Sequence, residues 1–240
     1  MLKIAEIIRL SWETYTSKFK QYLPFLGAIF ILSALTSLSA VLIDQFLTLP
    51  NIAKFLISGF ISFLAYLVNF VVLIAIIYYT DKFLSNKKPD ISLKDIFGVY
   101  WPAIFISILA GLITAGGFIL FIVPGVIFTV WYAFVMYIAI LEKKKGMELL
   151  KESHELSRGR FWPIFGRLVV PNIFWAIIAY LALAGIFNLI GLIIGQSVID
   201  TQEAGLGLNL IILFVSDLIA AFFTPIYAIV GTIVFREVRK

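Results

Sequence analysis

The chain has 240 residues, of which 62% are hydrophobic and only 14% are charged, and its formal net charge is +5. A soluble domain of this length could not bury several uncharged runs of more than about 20 residues, so the composition excludes an ordinary soluble globular protein. The absence of cysteine excludes disulfides and thiolate-based metal sites or nucleophiles. Because the basic residues cluster at the ends of apolar runs, the charge predicts contact with anionic lipid headgroups and no binding of nucleic acid.

The first 20 residues are predicted to form an amphipathic helix, because apolar and charged side chains separate at steps of three and four. The apolar face contains Ile4, Ile8, Trp12, Tyr15 and Phe19, and the opposite face contains Glu6, Arg9, Glu13 and Lys20. Such a helix can lie at the lipid headgroups or pack on protein, and periodicity alone does not separate the two.

The apolar runs that follow predict six transmembrane helices. Their approximate bounds are residues 21–43, 55–80, 100–120, 123–141, 168–199 and 207–235. The central run, uncharged from Ile96 to Leu141, is too long for one crossing of about 20 residues, and its Gly and Pro residues near 116–125 allow the chain to turn back. A second basic, amphipathic surface helix is predicted at residues 143–161.

The distribution of basic residues predicts the orientation of these spans. Of the 19 lysine and arginine residues, all except Lys54 lie in the N-terminal arm, in the connectors after the second and fourth spans, or at the C-terminus. Short loops with this asymmetry face the cytoplasm. The sequence therefore predicts a multi-pass protein of the cytoplasmic membrane with both termini in the cytoplasm.

Three segments resemble one another and indicate an internal repeat. Ser11 precedes Phe19 by the same spacing that separates Ser92 from Tyr100 and Ser153 from Phe161. The resulting prediction is an all-α membrane protein of three hairpins, each preceded by an amphipathic interfacial helix, within one domain whose units cover about residues 1–80, 81–141 and 142–240. Chance similarity between membrane borders is the alternative. The predicted interface anchors are Trp12, Phe19, Tyr100, Trp101, Phe161 and Trp162.

The run from Gly117 to Gly166 carries a more specific pattern. A Pro-Gly pair opens a span, Glu142 ends it, and Gly146, Ser153, the Gly159-Arg160 pair and Phe161-Trp162 follow. This run resembles the membrane domain found at the front of some glycerophosphoryl diester phosphodiesterases, and related stand-alone membrane proteins of unknown function. The resemblance implies a six-span helical fold over most of the chain. It implies no activity, because the catalytic domain of that family is soluble and has no counterpart here.

Few residues of the chain offer chemistry. His154 is the single histidine, so a two-histidine, metal-assisted hydrolysis is excluded, as are ordinary transition-metal sites. The sequence contains no Gly-rich phosphate loop and no nucleophile elbow. We therefore predict no catalytic residues, no metal and no cofactor, and a packed or interfacial role for His154.

Asp217 interrupts the sixth predicted span, where a charge costs about 2.5–3.5 kcal/mol on insertion scales. It is the centre of a tentative ligand-binding set that also contains Ser216, Asn69, Asn172 and Asn188. The alternative is that Asp217 forms an interhelical hydrogen bond with a purely structural role.

Two functions follow from these features. The first is a non-enzymatic, lipid-contacting scaffold or accessory subunit, with a membrane-protein partner or a second copy of the chain. The second is a carrier or flippase for a lipid or an amphipathic small molecule, motivated by Asp217, by Pro225 in the same span and by the repeat.

Overall fold

The computed structural model of the chain describes residues 1–90, 92–194 and 205–240, and these residues form helices, turns and loops without strands. The helices are α1 (Ile4–Ser17), α2 (Phe19–Phe46), α3 (Asn51–Leu84), α4 (Leu93–Leu120), α5 (Ile122–Trp131), α6 (Val135–Leu141), α7 (Glu148–Ser157), α8 (Phe161–Ile194) and α9 (Leu206–Arg239). Within the described residues, six helical stretches are long and apolar enough to cross a membrane, counting α5 and α6 together. The predictions of an all-helical chain and of six apolar stretches long enough to cross a membrane are confirmed for these residues. Residues 195–204, which include the end of the fifth predicted span (168–199) and most of the loop after it, lie outside the described residues.

The middle copy of the predicted repeat differs from the prediction. A separate surface helix was expected before Tyr100, but α4 begins at Leu93 and runs through Tyr100 without a break. Ser92 is the N-cap of α4: its Oγ accepts a hydrogen bond from the Asp95 backbone N–H at 3.2 Å. The serine that looked like the start of a repeat unit is thus a helix cap, a role for which serine is strongly preferred. The pseudo-threefold arrangement of hairpins remains a prediction.

The turn between α4 and α5 consists of a single extended residue, Phe121. Two glycines make this close return possible. A Cβ on Gly117 would lie 2.6 Å from the Phe128 ring, and a Cβ on Gly125 would collide with the Phe118 ring. Each helix of the hairpin therefore places a phenylalanine against a glycine of the other. The Gly and Pro cluster of the sequence predicted a turn here, and the turn is confirmed.

The chain divides into two compact units. The first comprises residues 1–19, 73–173 and 226–240, and the second comprises residues 20–72 and 174–225. The boundaries fall inside α3, α8 and α9, so these long helices contribute to both units.

The first unit has a well-packed interior. The last part of α9 is buried on nearly all sides, as is most of α6. Tyr137 of α6 stacks on Phe235 of α9 with ring centroids 5.7 Å apart, and its phenol fills the space left by the missing side chain of Gly231. Phe134 contacts the same Phe235 ring at 5.9 Å. This aromatic cluster joins the fourth apolar stretch to the C-terminal helix.

Helix α1 belongs to this unit, but its buried face differs from the predicted one. The buried residues are Ile7, Ser11, Thr14 and Tyr15, whereas Trp12 is 42% exposed. The prediction assigned no position to Ser11 or Thr14. Ser11 can be buried because its hydroxyl donates a hydrogen bond to the Ile8 carbonyl at 2.8 Å, which leaves no donor unsatisfied.

Polar contacts hold the ends of the first unit together. The Arg236 guanidinium donates to the Asp81 carbonyl at 2.7 Å, to Asp81 Oδ1 at 3.1 Å and to Ser85 Oγ at 2.6 Å, at the last turn of α3. The N-terminal segment is hydrogen-bonded to both α8 and α9. Arg167 Nε of α8 donates to the Leu2 carbonyl at 2.7 Å, and the Leu2 N–H donates to Glu237 of α9 at 3.2 Å.

The second unit consists of segments of α2, α3, α8 and α9. The α3 segment, residues 51–72, is about 33 Å long at 1.5 Å per residue, which matches a hydrocarbon core of about 30 Å. Large apolar side chains such as Ile31, Phe60 and Leu181 are 57–62% exposed here. The polarity of this unit is therefore that of a bundle surrounded by lipid.

Candidate functional site

Helix α7 is attached to a break in the fourth apolar stretch by two buried serines of the first unit. Residues 132–134 interrupt the helix between α5 and α6 and free backbone groups from the regular ladder. Ser153 Oγ donates to the Trp131 carbonyl at 2.7 Å and accepts from the Phe134 N–H at 3.2 Å. Ser157 Oγ lies 3.0 Å from the Val130 carbonyl, to which it donates. The two hydroxyls satisfy groups that would otherwise be costly to bury.

Glycine sets both ends of α7. Gly146 before the helix and Gly159 after it have φ of +92° and +73°, a conformation that side chains with a Cβ rarely adopt. The helix is therefore shorter than the predicted 143–161 and covers residues 148–157. Its buried face consists of Leu149, Leu150, Ser153 and Ser157, whereas Met147 is 67% exposed.

His154 lies on α7 against the side chain of Trp131, with ring centroids 4.2 Å apart. The predicted packed role of this histidine is consistent with that contact. Among the described residues, no group of three or more His, Cys, Asp or Glu side chains could hold a metal ion.

A network of four charged side chains joins α6, α7 and α9 of the first unit. Lys144 Nζ lies 2.9 Å from Glu142 and 2.7 Å from Glu152, and an Arg239 nitrogen lies 2.7 Å from Glu142 and 2.5 Å from Glu152. Partial burial raises the pKa of the Glu152 carboxyl, but hydrogen bonds from Lys144 and Arg239 outweigh that effect and hold its pKa below the ordinary value. The same two carboxylates raise the pKa of Lys144.

An open groove of about 500 Å³ lies beside this network, and we call it the polar groove. It is lined by Glu148, Lys151, Glu152, Glu155, Leu156, Arg160 and Arg239. Arg160 also donates to the Val238 carbonyl at 3.4 Å. Charges of both signs line the surface, which suits contact with another polar macromolecular surface better than a single anion.

A second groove of about 480 Å³ in the same unit is almost wholly apolar, and we call it the aromatic groove. It is lined by Ile122, Val123, Val126, Ile127, Trp131, Phe161 and Trp162. Two predicted interface anchors, Phe161 and Trp162, thus lie beside residues of α5. The sequence did not indicate this neighbourhood, because the two segments are more than a helix apart in the chain.

The predicted anchors differ in their exposure. Trp101 and Trp162 are 56% and 74% exposed, as expected for side chains that meet lipid. Tyr100 is only 8% exposed and belongs to the protein interior instead. Phe19 packs edge-to-face on Tyr15 at 5.6 Å.

The predicted ligand-binding residues are divided between the units. Asp217 and Asn69 of the second unit each have one buried side-chain oxygen without a hydrogen-bond partner, Oδ2 of Asp217 and Oδ1 of Asn69. Asn172 belongs to the first unit: its Nδ2 donates to the Leu168 carbonyl at 2.7 Å, and its Oδ1 is also buried without a partner. The interhelical hydrogen bond considered for Asp217 is not formed by that Oδ2 atom.

Ser216 and Asn188 use their donors within their own helices. Ser216 Oγ donates to the Ile212 carbonyl and Asn188 Nδ2 donates to the Ala184 carbonyl, both at 2.8 Å. These bonds to the preceding turn need no partner from another helix. Asp217 and Asn69 are therefore the members of the predicted set in the second unit that have a buried oxygen without a hydrogen-bond partner.

Sequence reasoning missed the joint roles of Ser153 and Ser157 and the network around Arg239. The spacing of the two serines, one helical turn apart on an otherwise apolar face, was a signal for buried hydroxyls. The pairing of Arg239 with Glu142 and Glu152 joins residues far apart in the chain and had no local signal. No family model, curated protein or solved structure matches the chain.

Proposed function

We propose that this chain is a non-enzymatic integral membrane protein that contacts lipid and acts as a scaffold or accessory subunit. The observation that carries the proposal is the polar groove beside α7, an open surface of mixed charge whose shape is fixed by the Glu142, Lys144, Glu152 and Arg239 network. Such a surface fits a protein partner, or a second copy of this chain, through complementary charges.

The proposal includes the predicted placement in the cell. Both termini face the cytoplasm of a cytoplasmic membrane, and the basic residues of the first unit contact anionic headgroups. The relation to the membrane domains of glycerophosphoryl diester phosphodiesterases and the three-unit repeat belong to the same proposal. The absence of an enzymatic role rests on the residue types available, with one histidine and no cysteine.

The test is site-directed photo-crosslinking in native membranes. A photoreactive amino acid at Glu155, which lines the polar groove, is expected to give a discrete crosslinked band. The same group at Lys88, an exposed residue of the connector before α4, is the matched control and should give no such band. Lys151→Glu in the same background should abolish the band if charge complementarity is responsible. Absence of a discrete crosslinked product from position 155 would contradict a role for the polar groove in binding a partner.

A carrier for a lipid or an amphipathic molecule is the second candidate, favoured by the unpartnered oxygens of Asp217 and Asn69. A buried acceptor without a partner is costly and is satisfied if a ligand hydroxyl or amine binds there. Native mass spectrometry of protein released from lipid discs tests this function. A lipid-sized adduct should be lost in Asp217→Ala and retained in Asn188→Ala, because Asn188 is exposed and bonded to its own helix. Equal adducts in all three proteins would remove the support for a carrier.

A further inference from the structure

The depth of the α4–α5 hairpin in the membrane is set by the helix that packs on it. Helix α7 is bonded directly to the carbonyls of Val130 and Trp131, at distances of 3.0 and 2.7 Å. Val130 lies eight residues from Ile122 at the hairpin tip, which corresponds to about 12 Å along α5. The positions of α7 and of the tip within the first unit are therefore linked.

Helix α7 carries charges that cannot lie in the hydrocarbon core. Lys151, Glu155 and Arg158 are all exposed on its outer side. If the hairpin crossed a core of about 30 Å and its tip reached the far surface, Val130 and α7 would lie close to the centre of the bilayer. Each charged residue exposed at that depth costs about 2.5–3.5 kcal/mol.

The tip itself must meet an apolar environment. Ile119, Phe121 and Ile122 are 75–86% exposed, although no charged residue lies near them in the chain. The exposed face of α4 continues this surface towards the N-terminal end of the helix with Phe97, Trp101, Phe105, Ile108 and Leu112. Aqueous exposure of so large an apolar surface is unfavourable, so lipid has to cover it.

The aromatic groove gives an independent indication of depth. Trp131, Phe161 and Trp162 line it together with residues 122–127 of α5. Tryptophan is enriched at the level of the headgroups. Trp131 is the last residue of α5, nine residues after Ile122 at the tip, so the tip lies within about 14 Å of that aromatic level.

We infer that the α4–α5 hairpin enters one leaflet obliquely and returns to the same side without crossing, with the acyl chains of that leaflet covering its tip and the exposed face of α4. The helices that cross the membrane are then α2, α3, α8 and α9. The long apolar face of α4 lies along the leaflet in this arrangement, while the charged side of α7 stays in water.

This arrangement keeps the predicted sidedness of every loop. A hairpin that crosses twice and a hairpin that returns both bring residues 142–160 to the side of the N-terminus. The distribution of basic residues therefore agrees equally with six and with four crossings, which is why charge counting could not separate them. The inference holds whether the protein is a scaffold or a carrier, because it concerns only its contact with lipid.

The first test uses single cysteines, since the natural chain has none. The variants are Phe121→Cys at the tip, Leu49→Cys in the α2–α3 loop, Lys88→Cys in the α3–α4 connector and Glu155→Cys on α7. All four positions are exposed, so the variants should fold. A membrane-impermeant maleimide is applied to intact and then to opened membrane vesicles.

We expect the maleimide to label Leu49→Cys from one side of the membrane, and Lys88→Cys and Glu155→Cys from the other. Phe121→Cys should not be labelled from either side. Reaction of Phe121→Cys from the Leu49 side would overturn the inference. So would an unreactive Glu155→Cys, because α7 would then lie inside the core.

The second test measures depth directly. A small fluorophore on Phe121→Cys is reconstituted in vesicles that carry nitroxide labels either at the headgroup or along the acyl chain. Stronger quenching by the acyl-chain label is expected, because the tip lies within a leaflet. Stronger quenching by the headgroup label contradicts the inference, since that result places the tip at a surface.

Discussion

The interior of the first compact unit and the outer faces of the second place apolar residues in different surroundings. In the first unit, Ile138, Ile229 and Val230 have no exposed surface and pack against protein. In the second unit, Ile31, Phe60 and Leu181 are more than half exposed. The same residue types thus stabilise the interior of the first unit by packing on protein, and suit the outer faces of the second to lipid contact, as does the exposed face of α4 in the first.

The units differ in polar groups as well. Of the 19 lysine and arginine residues, only Lys20 and Lys54 belong to the second unit. The buried hydroxyls of Ser153 and Ser157 in the first unit are bonded to backbone groups, whereas Asp217 and Asn69 in the second keep oxygens without a partner. The hydroxyls of Ser153 and Ser157 thus have a structural role, whereas the oxygens of Asp217 and Asn69 can still accept a hydrogen bond from a ligand; Ser107 and Asn172 of the first unit also keep a buried oxygen without a partner.

The largest expected effect is the loss of the serine contacts of α7. The double variant Ser153→Ala and Ser157→Ala removes the hydroxyl partners of the Trp131 carbonyl and the Phe134 N–H and the 3.0 Å bond to the Val130 carbonyl, which should cost about 2–4 kcal/mol of unfolding free energy. Hydrogen exchange should show loss of protection in residues 148–157. Ser62→Ala in the second unit is the control, because Ser62 is exposed and donates to the Ser58 carbonyl of its own helix. Unchanged protection of α7 would contradict the assigned role.

A glycine-to-alanine pair tests the difference in packing. Gly231→Ala places a Cβ against the Tyr137 phenol in the buried aromatic cluster and should destabilise the protein by about 1–3 kcal/mol. Gly59→Ala in the second unit meets no atom within 4 Å and should be neutral or stabilising by up to about 1 kcal/mol. Thermal unfolding in detergent measures both.

A second substitution tests whether the Tyr137 hydroxyl causes the destabilisation of Gly231→Ala. Tyr137→Phe removes the hydroxyl oxygen closest to the added methyl group, so the double variant with Gly231→Ala should recover part of the lost stability. Equal melting temperatures for Gly231→Ala and Gly59→Ala would mean that the two units are packed alike.

The sequence predicted the second unit better than the first. Length and hydropathy are enough to locate α2, α3, α8 and α9, because a span requires only about 20 apolar residues. They do not show where a long helix leaves lipid and enters protein: α9 continues from Leu206 to Arg239 as one apolar helix, and only its partners change along the way.

The sequence likewise predicted the polar residues inside apolar helices, but it did not predict the polar groove. Asp217 and Asn69 were recognisable because a polar group in an apolar run is unusual whatever its partners are. The polar groove was not predictable, because it joins α7 to the C-terminal end of α9 through contacts such as Arg239 to Glu152. Tertiary pairing of surface charges leaves no periodic trace in a sequence.

Two aspartates are expected to respond to the same substitution with opposite signs. Asp81 of the first unit pairs with Arg236 at 3.1 Å, so Asp81→Asn should lower the unfolding free energy by about 1 kcal/mol. Asp217 has a buried oxygen without a partner, so Asp217→Asn should raise stability by up to about 1 kcal/mol. The measurement is thermal unfolding of both variants in the same detergent. A destabilised Asp217→Asn would show that this carboxylate has a structural role after all.

The smallest effect is the pH dependence of the network around Glu152. Hydrogen bonds from Lys144 and Arg239 outweigh partial burial and lower the pKa of this carboxyl in the folded protein. A folded pKa below the unfolded value means that the contribution to stability is complete above the unfolded pKa of about 4.3 and is lost as the pH falls through the folded pKa. The difference in melting temperature between the natural protein and Glu152→Gln should therefore be greatest near neutral pH and should close in acid. Because the side chains of Glu152, Lys144 and Arg239 all remain partly accessible to water, with 22–45% of their surface exposed, the effect corresponds to no more than about 1 kcal/mol. A difference for Glu152→Gln that persists unchanged at pH below the folded pKa of the Glu152 carboxyl would exclude this explanation.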